Sequence, residues 1–116
     1  MRVAVVGSRT FRPRARVFSV IDGLPAGTIV VSGGARGPDR WAVERALENG
    51  MPIRVHPAQW DHYGRAAGFI RNALVVQDCD QLIAFWDGSS RGTADVVAKA
   101  QDAGKPVTVV RMGSDP

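Results

Sequence analysis

The chain has 116 residues, 45% of them hydrophobic, and a formal net charge of +4. A single domain of this size buries a core without metals or disulfides. The only cysteine, Cys79, has no partner to bridge, and the apolar run Val3-Ala4-Val5-Val6 is too short for a signal-peptide core or a membrane span. These features exclude a disulfide scaffold and a membrane partner and imply a cytoplasmic protein. The positive charge favours anionic partners without choosing between a nucleotide and a nucleic acid.

Short apolar, β-branched runs recur in chain order at Val3–Val6, Ile29–Val31, Ile53–Val55, Leu82–Phe85 and Val107–Val110, each separated by a stretch that can carry a helix. After the first run, Arg9, Arg12, Arg14 and Arg16 form the densest basic stretch, which reads as a solvated helix face. After the second, Gly37 caps a helix, Pro38 suits its first turn, and Asp39 lies near the positive end of its dipole. In that helix Asp39 or Ala42, Val43, Ala46 and Leu47 mark the buried stripe, Gly50 stops it, and Pro52 bars its continuation. The third helix carries Arg71 near its start. In the last, Val96, Val97, Ala100 and Ala103 face inward, Gly104 ends the helix, and Pro106 opens the final strand. The expected fold is one α/β domain over residues 1–116. It is a Rossmann-like three-layer sandwich of about five parallel strands, the first of them central, with four helices on both faces.

In such a sheet, ligands bind beyond the carboxyl ends of the strands, where strand order reverses. Three strand-to-helix loops there combine glycine, hydroxyl and arginine. The first offers Gly7, Ser8 and Arg9, the second Gly33, Gly34, Ala35, Arg36 and Gly37 with Asp39 just beyond, and the third Gly88, Ser89, Ser90, Arg91, Gly92 and Thr93. Glycine admits close backbone approach, hydroxyls donate hydrogen bonds, and the following helix offers unpaired N–H groups, a combination suited to phosphate. The competing explanation of these glycines is that tight βα turns need them. The Walker ending and the full dinucleotide fingerprint are both missing, which disfavours an ATPase or an NAD dehydrogenase. His56 and His62, six apart and without a carboxylate or cysteine cluster, do not read as a metal site, and no cofactor is expected. Trp60 and Tyr63 suit base stacking, although packing is the favoured role for Trp60, and Trp41 and Trp86 read as core or interface residues.

The blocks Ser32-Gly33-Gly34-Ala35-Arg36-Gly37-Pro38-Asp39, Pro57-Ala58-Gln59-Trp60, Gly64-Arg65-Ala66-Ala67-Gly68 with Arg71-Asn72, and Ala84-Phe85 before Gly92-Thr93 occur in order from about Val3 to Val110. Together they resemble the YspA/YpsA-related branch of the SLOG superfamily, which also holds the LOG phosphoribohydrolases and the DprA/Smf DNA-processing proteins. The resemblance implies a Rossmann-like domain that senses or processes nucleotide-derived ligands, often in bacterial and phage conflict systems, and a homodimer. In the LOG enzymes an Arg-Lys pair on a helix precedes a strand ending in Pro-Gly-Gly-x-Gly-Thr-x-x-Glu. Their arginine and glutamate serve cleavage of an N-glycosidic bond.

Arg71-Asn72 is similar to that pair, and the segment from Asp87 to Thr93 to that loop. The glutamate position, however, holds Val96, and the neighbouring carboxylate Asp95 lies about 100° away around the helix. The implied ligand contacts therefore include Arg71 and Asn72, the catalytic candidates are Arg71 and Asp95, and in an enzyme Asp95 or Asp87 would assist departure of a base from a ribose 5′-phosphate. The leading expectation is a binding site for a nucleotide or nucleotide-derived small molecule. The alternatives are a LOG-like hydrolase of nucleoside 5′-monophosphates and a DprA-like module that binds single-stranded DNA through the Arg9–Arg16 stretch.

Overall fold

Runs in which every residue is apolar settle in a sheet only where both faces are covered, and that is how the central strands of this chain lie, while the two edge strands are partly exposed. The computed structural model describes residues 1–113. Its strands are β1 (Arg2–Gly7), β2 (Ile29–Ser32), β3 (Ile53–Val55), β4 (Gln81–Trp86) and β5 (Val107–Arg111). They form one all-parallel sheet in the order β3-β2-β1-β4-β5, with β1 at its centre. The helices are α1 (Arg14–Asp22), α2 (Pro38–Glu48), α3 (Trp60–Tyr63), α4 (Ala67–Gln77) and α5 (Arg91–Asp102). A 3₁₀ turn, Gly64–Ala66, leads into α4.

Because successive side chains of a strand point to opposite faces, each strand feeds two cores. Val3, Val5, Val30 and Phe85 pack with Val17 and Ile21 of α1 and Ala42 and Ala46 of α2. Ala4, Val6, Val31, Leu82 and Ala84 pack on the other side with Val75 and Val76 of α4 and Val96 and Ala100 of α5. The result is the Rossmann-like three-layer α/β sandwich.

The details differ from expectation in four places. A fifth, one-turn helix, α3, holds Trp60 and His62 where a loop was expected; the Gln59 carbonyl accepts the N–H groups of both His62 and Tyr63 and closes that turn. Leu47 is 59% exposed rather than inward, because Asp39, Ala42 and Ala46 define the buried stripe and Leu47 lies about 100° beyond Ala46 around the helix. Ala103 is also exposed, since α5 ends at Asp102 and Ala103 is its cap. The arginine run is divided: Arg9 and Arg12 precede α1, with Arg12 over the Trp41 ring at 5.4 Å, while Arg14 lies over Phe18 at 5.2 Å. Among the described residues no helix is long and apolar enough to cross a membrane.

The chain order reverses between β1 and β4, and here the backbones meet closely. The Ser8 N–H donates to the Phe85 carbonyl at 2.9 Å. A Cβ on Gly7 would stand 2.6 Å from the Phe85 oxygen and 2.6 Å from Cγ of Pro38, closer than real contacts allow. Gly7 is thus required for the packing of β1 against β4 and the start of α2. Gly7→Ala is expected to keep the fold but lower its stability by about 1–3 kcal/mol, the usual cost of overpacking. Urea unfolding at neutral pH measures it, and a variant as stable as the parent would show that this seam relaxes freely.

Candidate functional site

The three glycine loops come together at the carboxyl edge of the sheet, and a buried carboxylate joins two of them. Asp39, in the first turn of α2, is 4% exposed. Its Oδ1 accepts the Gly7 N–H at 3.1 Å and its Oδ2 the Gly33 N–H at 3.1 Å, with the Ala35 N–H as a third donor. Ser32 Oγ donates to the Asp39 carbonyl at 3.0 Å and accepts the Gly34 N–H at 3.1 Å. Gly33 is clamped in this arrangement: a Cβ there would meet Cδ of Arg71 at 2.6 Å and Oδ2 of Asp39 at 2.9 Å. Burial pushes the Asp39 carboxyl up to about 6, against the opposing pull of the Arg71 charge and the three amides.

Hydroxyl groups and a second carboxylate tie the third loop to the first. Ser8 Oγ accepts the Asp87 N–H at 3.1 Å and lies 3.2 Å from Thr93 Oγ1, which donates to Ser90 Oγ at 3.2 Å. Ser90 is the N-cap of α5 and accepts the Thr93 N–H. Asp87 accepts the Thr10 hydroxyl at 2.6 Å and the N–H groups of Ser89 and Ser90 at 2.9 and 2.8 Å. These bonds hold its carboxyl well below the usual carboxylate range.

One consequence differs from the phosphate cradle expected of glycine loops. The N–H groups of Gly7, Gly33, Gly34, Ala35, Ser89 and Ser90 all point to Asp39, Ser32 or Asp87, short polar side chains that reach nearby backbone more readily than a diffusible anion does. The groups left for an anion are guanidiniums and the first turn of α5, where the space beside Gly92 is open.

Those groups surround a cleft of about 430 Å³. Val6 and Val96 contribute apolar surface, Phe69 and Trp60 add aromatic rings, and Arg9, Arg65 and Arg71 bring positive charge. The side chains of Arg9 and Arg65 make no hydrogen bond or ion pair with the described residues. Arg71 is anchored: Nη1 donates to the Gly33 carbonyl at 2.8 Å and Nε to Asn72 Oδ1 at 3.1 Å. Asn72 Nδ2 donates onward to the Gly92 carbonyl at 3.1 Å and to Asp95 Oδ2 at 3.0 Å. Asp95 also accepts Lys99 Nζ at 2.5 and 2.7 Å. A second cleft of about 420 Å³ adjoins the first beside the loop between β2 and α2.

Of the residues singled out in the sequence, Gly7, Arg9, Ala35, Asp39, Arg71, Asn72, Ser90, Gly92 and Thr93 line the first cleft, and Gly33, Gly34 and Arg36 line the second. Ser8, Gly37, Gly88, Ser89, Arg91 and Asp95 line neither. Ser8 is buried, Gly37 stands against the backbone of Arg9, Gly88 lies beside Arg111, and Asp95 is turned to Asn72 and Lys99. Arg65, quoted only within the Gly64–Gly68 block, and Phe69 were not singled out as site residues, because only the tertiary structure shows that the 3₁₀ turn Gly64–Ala66 and the first turn of α4 reach this cleft. Trp60, expected to pack, is 54% exposed and borders both clefts. Trp41 packs on the core between α1 and α2, and Trp86 Nε1 donates to the Ser90 carbonyl at 3.2 Å. His56 Nε2 lies 2.7 Å from Asp78, away from both clefts, and among the described residues no group of three or more acidic, histidine or cysteine side chains is placed to hold a metal.

Fold and cleft together define a Rossmann-like domain with a charged crevice at its topological switch point. The chain belongs to the YspA, cpYpsA-related SLOG family, whose model matches residues 1–63. It is 38% identical over 125 residues to the Gene 61 protein of Mycobacterium phage D29, covering 99% of this chain and 98% of that protein. Among solved structures it is similar to DNA processing protein A (DprA) of Streptococcus pneumoniae, with a TM-score of 0.79 and 25% identity over 93% of this chain. DprA of Helicobacter pylori and the protein TM1055 share the fold at TM-scores of 0.80 and 0.74, with 23% and 20% identity over 94% and 91% of this chain. The chain spans 49% of the first DprA, 64% of the second and 71% of TM1055.

The raised Asp39 value has a signed consequence for stability. A carboxyl that titrates at about 6 in the folded state and at the ordinary aspartate value of 3.8 when unfolded makes the folded state bind more protons between those values. Stability from this group is therefore fully present below pH 4 and is lost as pH rises through 6. The loss is about 3 kcal/mol. Asp22, Asp78, Asp80 and Asp87 are shifted downward and act in the opposite sense. The measurement is thus the pH dependence of wild type minus that of Asp39→Asn, together with NMR titration of the Asp39 carboxyl carbon. A midpoint near 6 is expected, and one below 4 would mean that the amides and Arg71 outweigh burial.

Proposed function

We propose that this chain binds a nucleotide or nucleotide-derived small molecule in the first cleft, between the carboxyl ends of β1 and β4, and holds it without cleaving it. The observation that carries this reading is the pairing of two uncompensated guanidiniums, Arg9 and Arg65, with apolar and aromatic walls at the switch point. A free guanidinium binds phosphate in a fork, and an aromatic face such as Trp60 or Phe69 accepts a base. Against hydrolysis stands the position of the carboxylates. Val96 fills the position of the LOG glutamate and Asp95 is held by Asn72 and Lys99, outside the cleft. The carboxylates that line the cleft among the described residues are Asp39 and Asp87, each tied to backbone amides. The phage origin of the 38% identical relative supports a sensing role in bacterial or phage conflict.

A second reading, binding of single-stranded DNA, draws on the fold shared with the Helicobacter pylori DprA, which is described with a single-stranded DNA binding mode, and on the net charge of +4. It differs in having affinity that falls steeply as salt rises, because phosphate contacts release counterions.

The test is thermal unfolding with nucleoside monophosphates and with the matching nucleosides. A ligand that binds only the folded state stabilises it by about 2.7 kcal/mol at 100 times its dissociation constant. Nucleotides are expected to raise the melting temperature well beyond nucleosides, with no free base appearing on chromatography. Arg65→Ala and Arg71→Ala should each weaken nucleotide binding by about 1.5–3 kcal/mol, the range for a charge-assisted hydrogen bond. Equal shifts for nucleotide and nucleoside would remove the phosphate from the reading. Release of base, abolished by Asp95→Asn, would restore the hydrolase.

A further inference from the structure

The second cleft differs in chemistry from the first, with which it shares Arg9, Ala35, Trp60 and Arg71. Where the first has apolar walls, the second gathers four arginines, Arg9, Arg36, Arg40 and Arg71, and among the described residues no carboxylate lines it. Guanidiniums collected around one cavity repel one another, with the buried Asp39 beside Arg71 as the nearby opposing charge, and an anion placed among them relieves that repulsion. Two of the four are fixed in place by the loop between β2 and α2: Arg71 Nη1 donates to the Gly33 carbonyl at 2.8 Å and Arg40 Nε to the Gly34 carbonyl at 3.3 Å. Arg9 and Arg36 make no side-chain hydrogen bond or ion pair with the described residues. The same loop has turned its amides inward to Asp39 and Ser32, so an anion here is held by the guanidiniums.

We infer that the second cleft receives a second phosphate of the ligand held in the first, so that the ligand is a nucleoside di- or oligophosphate rather than a monophosphate. The base and sugar lie against the apolar and aromatic walls of the first cleft. The phosphate chain passes Arg71, which both clefts share, into the arginine cluster. Anchored guanidiniums lose little freedom when they bind, which favours this path for the chain. The inference rests on the nucleotide reading of the first cleft and adds the number of phosphates.

Calorimetric titration of the full chain with mono-, di- and triphosphates of adenosine, guanosine, cytidine and uridine at fixed salt tests it. For the preferred base, the diphosphate is expected to bind about tenfold or more tightly than the monophosphate, as one added charge-assisted contact provides. The double variant Arg36→Ala/Arg40→Ala removes exposed side chains; it should abolish that preference, read as the ratio of di- to monophosphate affinity, while circular dichroism shows the fold retained. Mono- and diphosphate bound equally by the wild type would overturn the inference and leave the nucleotide reading standing. No binding of any nucleotide would overturn both. If a twelve-residue oligothymidylate bound more tightly than any diphosphate and lost that affinity in the double variant, the arginines would belong to a nucleic-acid track instead.

Discussion

Everything at the carboxyl edge of this sheet depends on one buried carboxylate. Asp39 reaches out of the first turn of α2 and accepts the N–H groups of Gly7 after β1 and Gly33 after β2, so a single side chain sets the spacing of two loops and the entry of a helix. Around it there is no spare room. Pro38 packs where a Cβ of Gly7 would stand, and Arg71 and Asp39 together occupy the space of a Cβ on Gly33. The two glycines are therefore dictated by close approach, and the approach is dictated by the carboxylate.

That arrangement decides what the edge can bind. A βα loop of glycines is usually credited with a nest of amides, but here Asp39, Ser32 and Asp87 take most of those amides, and the loop presents carbonyls to its surroundings. Arg71 and Arg40 use two of these carbonyls as anchors, and among the described residues Arg9, Arg36 and Arg65 have no side-chain partner beside them. Positive charge at this edge is thus carried by arginine side chains and the open first turn of α5. A buried carboxylate that orients loops and an outer set of guanidiniums that faces the ligand divide the work that backbone amides perform elsewhere. The division also accounts for the cost of Asp39, whose burial opposes its charge even with three amides and an arginine nearby.

The interior of the site is held by a chain of polar contacts from Arg71 through Asn72 and Asp95 to Lys99. It crosses from α4 to α5 and ties those helices together beside the cleft. Asp95 belongs to this chain, which explains why a carboxylate next to the glutamate position of the hydrolases does not reach the cleft. Val96 points there instead and closes it with an apolar surface.

The alternation of β-branched runs with capped helical segments determined the parallel sheet, which follows from periodicity and from the need for crossover helices, whereas the central place of β1 was expected from the doubly wound architecture. Pro38, Gly50 and Gly104 marked helix boundaries for reasons of backbone geometry that act within a few residues. The loop that carries Gly33 and the helix starts that carry Arg71 and Thr93 were legible for the same local reason. What each loop residue does was decided only by tertiary structure. Asp39 and Gly7 are 32 residues apart, Arg71 and Gly33 38, and Ser8 and Thr93 85, so no local pattern says which of them will meet. Whether a polar side chain faces a ligand or a neighbouring amide depends on those meetings, because a buried donor or acceptor must be satisfied by whichever partner the fold brings within about 3 Å.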